Sequence, residues 1–319
     1  IDSMRSGGSI IGWNTSHPRR TPATALRAHR RLASLPVAFA APSTTHTPML
    51  MLDWTLIAQL IVLGCCTGVL AGLLGIGGGM LLVPFLTLLF TVQQFPTEAI
   101  VKMAVATSLA SICFTSISSV RAHHKRGAVR WDVVKLLAPG IVLGSLLGAQ
   151  LVRFLSPTWM ALFFAGFVTV SATQMFIDKK PSPTRELPRG AGMLGAGGVI
   201  GVLSALVGAG GGFISVPFMT WCNVKIHNAV ATSAALGFPI AVAGTVGYVW
   251  AGWHLQDMPP GSVGFIHLPA LLVLAAGSVL TAPLGARMAH RMNVKQLKRA
   301  FAVLLYLLAA YMLYKGIAA

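Results

Sequence analysis

Acidic side chains are nearly missing from this sequence: seven Asp and Glu stand against 24 Lys and Arg in 319 residues. Charge of either sign is scarce, at 10% of residues, where a water-soluble globular chain carries about a quarter. So little charge cannot cover a surface in water, which excludes an ordinary soluble enzyme. A membrane-embedded enzyme would need acids, His or Cys clustered at catalytic spacing, and no such cluster is visible. Four cysteines are too few for a disulfide framework. Cys65, Cys66, Cys113 and Cys222 all lie in apolar runs and read as small buried hydrophobes. What is abundant is apolar side chain, 55% of the chain, with a mean hydropathy of +0.74. That excludes disorder and makes a bilayer the natural solvent. The net charge of +17 would suit nucleic acid in a soluble protein. In a membrane chain an excess of Lys and Arg marks cytoplasmic loops, so no nucleic-acid partner is expected, and no cofactor.

Residues 1–48 do not fit this picture. They hold six Arg and one acid, are rich in Ser, Thr, Pro and Ala, and show no sustained apolar period. Two readings are open: a transit-type leader, or upstream sequence joined to a protein that starts at Met49 or Met51. The second is favoured, and the stretch is expected to be disordered.

A spanning helix needs about 20 mainly apolar residues. Candidates lie near 53–74, 80–93, 98–121, 132–153, 158–177, 191–208, 212–222, 226–252, 262–286 and 295–316. The second and seventh are too short to span unaided; each follows a glycine cluster and contains a proline, Pro84 or Pro217. A polar linker over 178–190 separates a first membrane repeat, 51–177, from a second, 191–316. The halves read as copies. Gly68–Phe85 aligns with Gly201–Phe218, 133 residues further on; Ala104–Ser108 aligns with Ala229–Ser233; and Gly140, Gly144 and Gly148 fall opposite Gly277, Thr281 and Gly285. The expected fold is an all-α integral membrane protein of two inverted repeats, about five helical segments each, with glycine-broken helices.

Charge supplies the orientation. Fourteen of the eighteen Lys and Arg after residue 48 fall in or beside three loops, near 122–131, 178–190 and 287–295, while 94–97 and 253–261 carry none. The positive-inside rule puts the three basic loops in the cytoplasm. All three reach that side only if each short segment completes a crossing or a return, and an odd number of segments per half makes the copies antiparallel, a common plan for secondary transporters.

The candidate chemistry is in the glycine turns Gly75–Gly79 and Gly208–Gly212. Each glycine in a helix interior costs about 1 kcal/mol relative to alanine, so four in five residues break the helix. Broken backbone at membrane depth survives only against protein or a wet cavity. The helices that follow begin with free N–H groups and a positive dipole end, which bind anions without a fixed cation. Gly77, Gly78, Gly79, Gly210, Gly211 and Gly212 are therefore candidate anion contacts. Thr107, Ser108, Thr232 and Ser233, at matched positions inside apolar helices, can donate to an oxyanion or bond their own helix backbone. Lys102 and His227, also matched, can neutralise an anion or turn to the interface. His123 and His124 read as solvated loop residues. Gly64, Gly68, Gly72, Gly140, Gly144 and Gly148 are spaced for helix–helix contact, and alanine at Gly68 or Gly201 is expected to be milder than valine at Gly78 or Gly211. A dinucleotide fingerprint is a poor match, since no strand precedes and no acid follows about 20 residues on.

The paired blocks Gly72-Leu-Leu-Gly-Ile-Gly-Gly-Gly79 and Ala205-Leu-Val-Gly-Ala-Gly-Gly-Gly212, each followed by Val-Pro, resemble the TauE/SafE family of sulfite exporters. So does His227-Asn-Ala-Val-Ala-Thr-Ser233, with Gly244-Thr-Val-Gly-Tyr248. The resemblance covers about 51–316. It implies a multi-pass transporter, of bacterial inner-membrane type, for a small sulfur-containing anion such as sulfite, a sulfonate or sulfoacetate. The alternatives are an anion channel, or an uptake permease for a different small organic anion.

The orientation is open to test. Single cysteines at Ala128, Ser182 and Asn293, in a background free of other cysteines, should resist impermeant thiol reagents in intact cells. Labelling of one position but not the others would break the inverted-repeat argument.

Overall fold

A computed structural model of the chain describes residues 54–74, 78–177, 186–188, 190–255, 258–288 and 294–318. The leader over 1–48, Gly77 and linker residues 178–185 lie outside the described residues. Those described form ten α-helices: α1 (Trp54–Leu74), α2 (Gly79–Val92), α3 (Thr97–His124), α4 (Trp131–Leu151), α5 (Pro157–Ile177), α6 (Ala191–Val207), α7 (Gly212–Trp221), α8 (Ile226–Gly252), α9 (Leu268–Met288) and α10 (Val294–Ala318). Seven of them are long and apolar enough to cross a membrane: α1, α3, α4, α5, α8, α9 and α10. α2, α6 and α7 are shorter, at 14, 17 and 10 residues. This is the all-α membrane architecture expected from the apolar runs.

One expected stretch of helix is a hairpin. The apolar run from 262 was read as continuous helix, but strands β1 (Ser262–Val263) and β2 (Ile266–His267) pair antiparallel, and α9 begins only at Leu268. Gly264, with φ 56°, supplies the left-handed residue that a two-residue hairpin turn wants at its first position. Hydropathy alone cannot see this effect.

The helices pack by exchange between halves: α1 lies along α9 and α6 along α4; α4 also packs on α8 and α9 on α3; α3 meets α8 and α5 meets α10. Small residues make the tightest seams. A Cβ at Gly144 would strike the carbonyl of Gly198, one at Gly140 the carbonyl of Leu194, and one at Gly285 the carbonyl of Val69. With no hydrophobic drive between helices in lipid, such backbone approach is what holds them together. Where Thr281 replaces the glycine of the other copy, its hydroxyl donates to the Cys65 carbonyl at 2.9 Å. The seams place α3 and α8 at the centre, the most enclosed of the spanning helices. At the periphery, Trp54, Trp131, Trp159, Trp221, Trp250 and Trp253 are exposed and stand at helix ends.

A Cβ at Gly68 would meet the Ser278 carbonyl and the Thr281 hydroxyl, and one at Gly201 the Ile141 carbonyl, so both glycines are close helix contacts and alanine there carries a cost. Two expectations are corrected. His123 is buried at 5% exposure, because α3 runs on to His124 rather than ending in the loop. Cys66 is exposed and Cys65 and Cys113 are half-buried; only Cys222 is buried.

Gly144→Ala and Gly285→Ala should each lower the thermal stability of the purified protein by about 1–3 kcal/mol, the cost of overpacking. Gly166→Ala and Gly195→Ala, which meet nothing within 4 Å, should be neutral or stabilising by up to about 1 kcal/mol through helix propensity. Equal effects in the two sets would contradict the seam assignment.

Candidate functional site

The two glycine turns meet where the halves join. Gly78 and Gly211 hold left-handed conformations, φ 70° and 74°, at the N-termini of α2 and α7. Gly208, φ 70°, ends α6. A side chain on any of the three is strained, so glycine is required there by backbone geometry. Gly79 lies so close to Gly208 and Ala209 that no Cβ fits between them. The reopened chain is re-bonded locally: the Gly78 carbonyl accepts from Leu81 and Leu82 N–H, and the Gly211 carbonyl from Ile214 and Ser215 N–H. Ser108 donates from α3 to the Gly208 carbonyl at 2.8 Å.

Gly210 and Ser233 also line a narrow cleft between α3, α8 and the second glycine turn, with free space of about 10 Å³. Ala71, Thr115, Ser116, Ser119, Ala234 and Gly237 complete its wall. Four of these residues carry hydroxyls and two are glycines, and no Lys or Arg is among them. The Ser215 hydroxyl donates to that of Ser233 at 2.9 Å, tying α7 to α8 beside the cleft. Thr115, Ser116 and Ser119 escaped the sequence reading because their counterparts in the second half, Ile240, Ala241 and Gly244, are apolar. A search for matched motifs passes over them, although polar residues at four-residue spacing inside an apolar helix were a signal in plain view.

The remaining candidates do not line this cleft. The Thr107 hydroxyl accepts the His267 backbone N–H at 3.1 Å, and that of Thr232 accepts the Arg130 N–H at 3.0 Å. His267 and Arg130 stand just before α9 and α4, so each threonine secures the start of a helix from the other half. The oxygens are thereby engaged, although each hydroxyl proton is still a donor. Lys102 is half-buried and His227 exposed, and neither lines the cleft. His267 was not foreseen. It is packed edge-on against Phe90 and Phe95, its Nδ1 accepts from the Ala270 N–H at 3.3 Å, and burial pushes its pKa down to about 4. A ring this dry is neutral at pH 7 and works as a helix cap.

The sequence profile described as sulfite exporter TauE/SafE matches residues 60–312. The chain belongs to the TauE/SafE family. TauE/SafE-like relatives agree. The chain is 36% identical over 264 residues to a probable membrane transporter protein of Haemophilus influenzae, covering 82% of this chain and all of the relative. It is 27% identical to one of Methanocaldococcus jannaschii, covering 81% and 96%, and 28% identical to one of Bacillus subtilis, covering 81% and 97%. No solved structure is similar to it. The protein is a membrane transporter rather than an enzyme, and its glycine turns and cleft are to be read in those terms.

Removing either threonine leaves a helix-start N–H without its acceptor, buried at His267 and part-buried at Arg130, which costs about 1–3 kcal/mol. Thr107→Val and Thr232→Val should therefore both lower thermal stability by that amount, whereas Thr107→Ser and Thr232→Ser should recover most of it. Threonine-to-valine variants that unfold at the wild-type temperature would show these bonds to be incidental.

Proposed function

We propose that the protein exports a small sulfur-containing oxyanion, of the sulfite, sulfonate or sulfoacetate type, across a cell membrane of the bacterial inner-membrane kind. The observation that carries this is the cleft between the halves, where the hydroxyl residues Thr115, Ser116, Ser119 and Ser233 meet glycine backbone without a fixed cation in a chain that is otherwise apolar. In low dielectric, oriented N–H and O–H dipoles stabilise an anion while sparing the protein the cost of burying a permanent charge. Gly77, Gly78, Gly79, Gly210, Gly211 and Gly212 would contribute backbone donors at the positive ends of α2 and α7. Ser108 and Ser233 would add hydroxyls once released from their present partners, and Thr107 and Thr232 their hydroxyl protons. Lys102 and His227, outside the cleft, would act at a distance by attracting the anion.

The exchange-symmetric packing and the charge of the loops support two inverted repeats, with the basic loops inside. Rocking of one repeat against the other would then expose the cleft alternately to the two faces. Few acids fall within the spans, so no proton relay is evident. Export down the membrane potential supplies the drive, about 2.3 kcal/mol per 100 mV for each negative charge expelled.

Purified protein in liposomes, loaded with unlabelled sulfite or an alkyl sulfonate, should take up the labelled anion saturably and by exchange. Gly237→Ala is the sharpest variant. A Cβ there makes ordinary contact with the Gly210 carbonyl at 3.5 Å and Ser116 Cβ at 3.8 Å, so it narrows the cleft without disturbing the fold. Transport should fall several-fold at unchanged thermal stability. Flux that neither saturates nor responds to anion on the far side would mark a channel, and failure to move any sulfur oxyanion would remove the substrate assignment.

A further inference from the structure

The two central helices are copies in sequence but not in surface. α3 places Thr107, Ser111, Thr115, Ser119 and His123 at every fourth position, all buried, at 0 to 5% exposure. Each member of a four-residue series turns about 40° beyond the last on a helix of 3.6 residues per turn, so the row forms a polar lane that winds through about 160° over about 24 Å at 1.5 Å per residue. The corresponding positions of α8, 125 residues further on, are Thr232, Leu236, Ile240, Gly244 and Tyr248. There the surface is dry and filled. Leu236, Ile240 and Tyr248 are fully buried, Ile240 Cδ1 covers Gly211, Leu109 occupies the space beside Gly244, and Tyr248 donates to the Ala205 carbonyl at 3.1 Å.

The lane holds hydroxyls that the fold does not use. Ser111 and Ser119 Oγ are buried without a hydrogen-bond partner, and Ser119 lines the cleft together with Thr115 and Ser116. A buried hydroxyl left unbonded is unfavourable, and one that faces a cavity is placed to bond whatever enters it. The lane ends among exposed basic residues, Arg121 and Lys125, next to the basic stretch that continues through Arg126 and Arg130. The corresponding end of α8 leads into 253–261, which has no Lys or Arg. A basic mouth attracts anions and repels cations.

We propose that the hydroxyl lane of α3 is the path by which an oxyanion enters the cleft from the basic-loop face, and that the apolar copy of this lane on α8 is the closed gate toward the opposite face. The lane takes a small oxyanion because its donors are hydroxyls and its entrance is positive; the apolar gate must part before the anion leaves. This deepens the export reading and rests on the cytoplasmic placement of the basic loops.

The test needs no knowledge of the true substrate. In full-length protein with Cys65, Cys66, Cys113 and Cys222 replaced by alanine, Thr115→Cys and Ser119→Cys would probe the lane, and Leu236→Cys and Ile240→Cys the gate. Each would be treated in sealed vesicles of either orientation with anionic sulfonatoethyl methanethiosulfonate or its cationic trimethylammonium counterpart. Thiols at 115 and 119 should react from the basic-loop face only, and about tenfold or more faster with the anionic reagent, the scale of electrostatic steering. Thiols at 236 and 240 should be inert from both faces. Lane thiols that do not react, that react equally with both reagents, or gate thiols that react from the far side would each overturn the proposal. In the cysteine-containing wild type, Ser111→Ala combined with Ser119→Ala should leave thermal stability unchanged, since neither hydroxyl has a partner, and should slow exchange of the transported anion several-fold; unchanged exchange would show that the lane is packing alone. If sulfite is not moved at all but the labelling pattern holds, the substrate assignment fails and the lane stands.

Discussion

Backbone that leaves a helix inside hydrocarbon must find its hydrogen bonds within the protein, and this structure is arranged around two places where that happens. At Gly78 and Gly211 the chain turns through left-handed geometry and restarts as a short helix. The carbonyls freed by the turns are met by the next turn's N–H groups and, at Gly208, by Ser108. Such breaks cannot face lipid. They have to be enclosed by other helices, and the glycine-faced helices α1, α4, α6 and α9 provide the enclosure.

The seams explain why the breaks can also be a site. When α4 lies against α6 and α1 against α9 at backbone distance, α3 and α8 are pressed together at the centre with the turns between them. Packing there is tight wherever a Cβ would collide, and loose around Gly237 and Gly210. The looseness is confined to a place where hydroxyls and glycine backbone converge. The threonines at positions 107 and 232 brace it from outside, each holding the helix start of the other half, so the cleft can be open without the halves separating.

The fold was largely legible because its signals are strong ones: ten apolar runs correspond to ten helices, and the spacing of Gly140, Gly144 and Gly148 named a seam that exists. What misled was local. Gly264 turns a hairpin that hydropathy reads as helix, and His123, read as a loop residue, is buried because α3 runs on to His124. The site was half legible. Gly210 and Ser233 were found through duplication, but duplication is blind to Thr115, Ser116 and Ser119, whose value lies in having no counterpart. Lys102 and His227 were suggested by matched position and charge; burial, which sequence does not give, leaves both away from the cleft.

The six exposed tryptophans at helix ends carry a mechanical consequence. Indole rings settle at the level of lipid headgroups, and on the proposed orientation Trp131 and Trp221 fall at one face and Trp54, Trp159, Trp250 and Trp253 at the other. The protein would then be fastened to two planes whose separation is set by the surrounding lipid. Long helices such as α4 and α8 can absorb a change in that separation by tilting. The short helices α2 and α7, each begun at a glycine turn, have less length to tilt. Acyl-chain length would therefore act as a load on those turns, and the hydrophobic thickness of the membrane would become a variable in the proposed rocking of the halves.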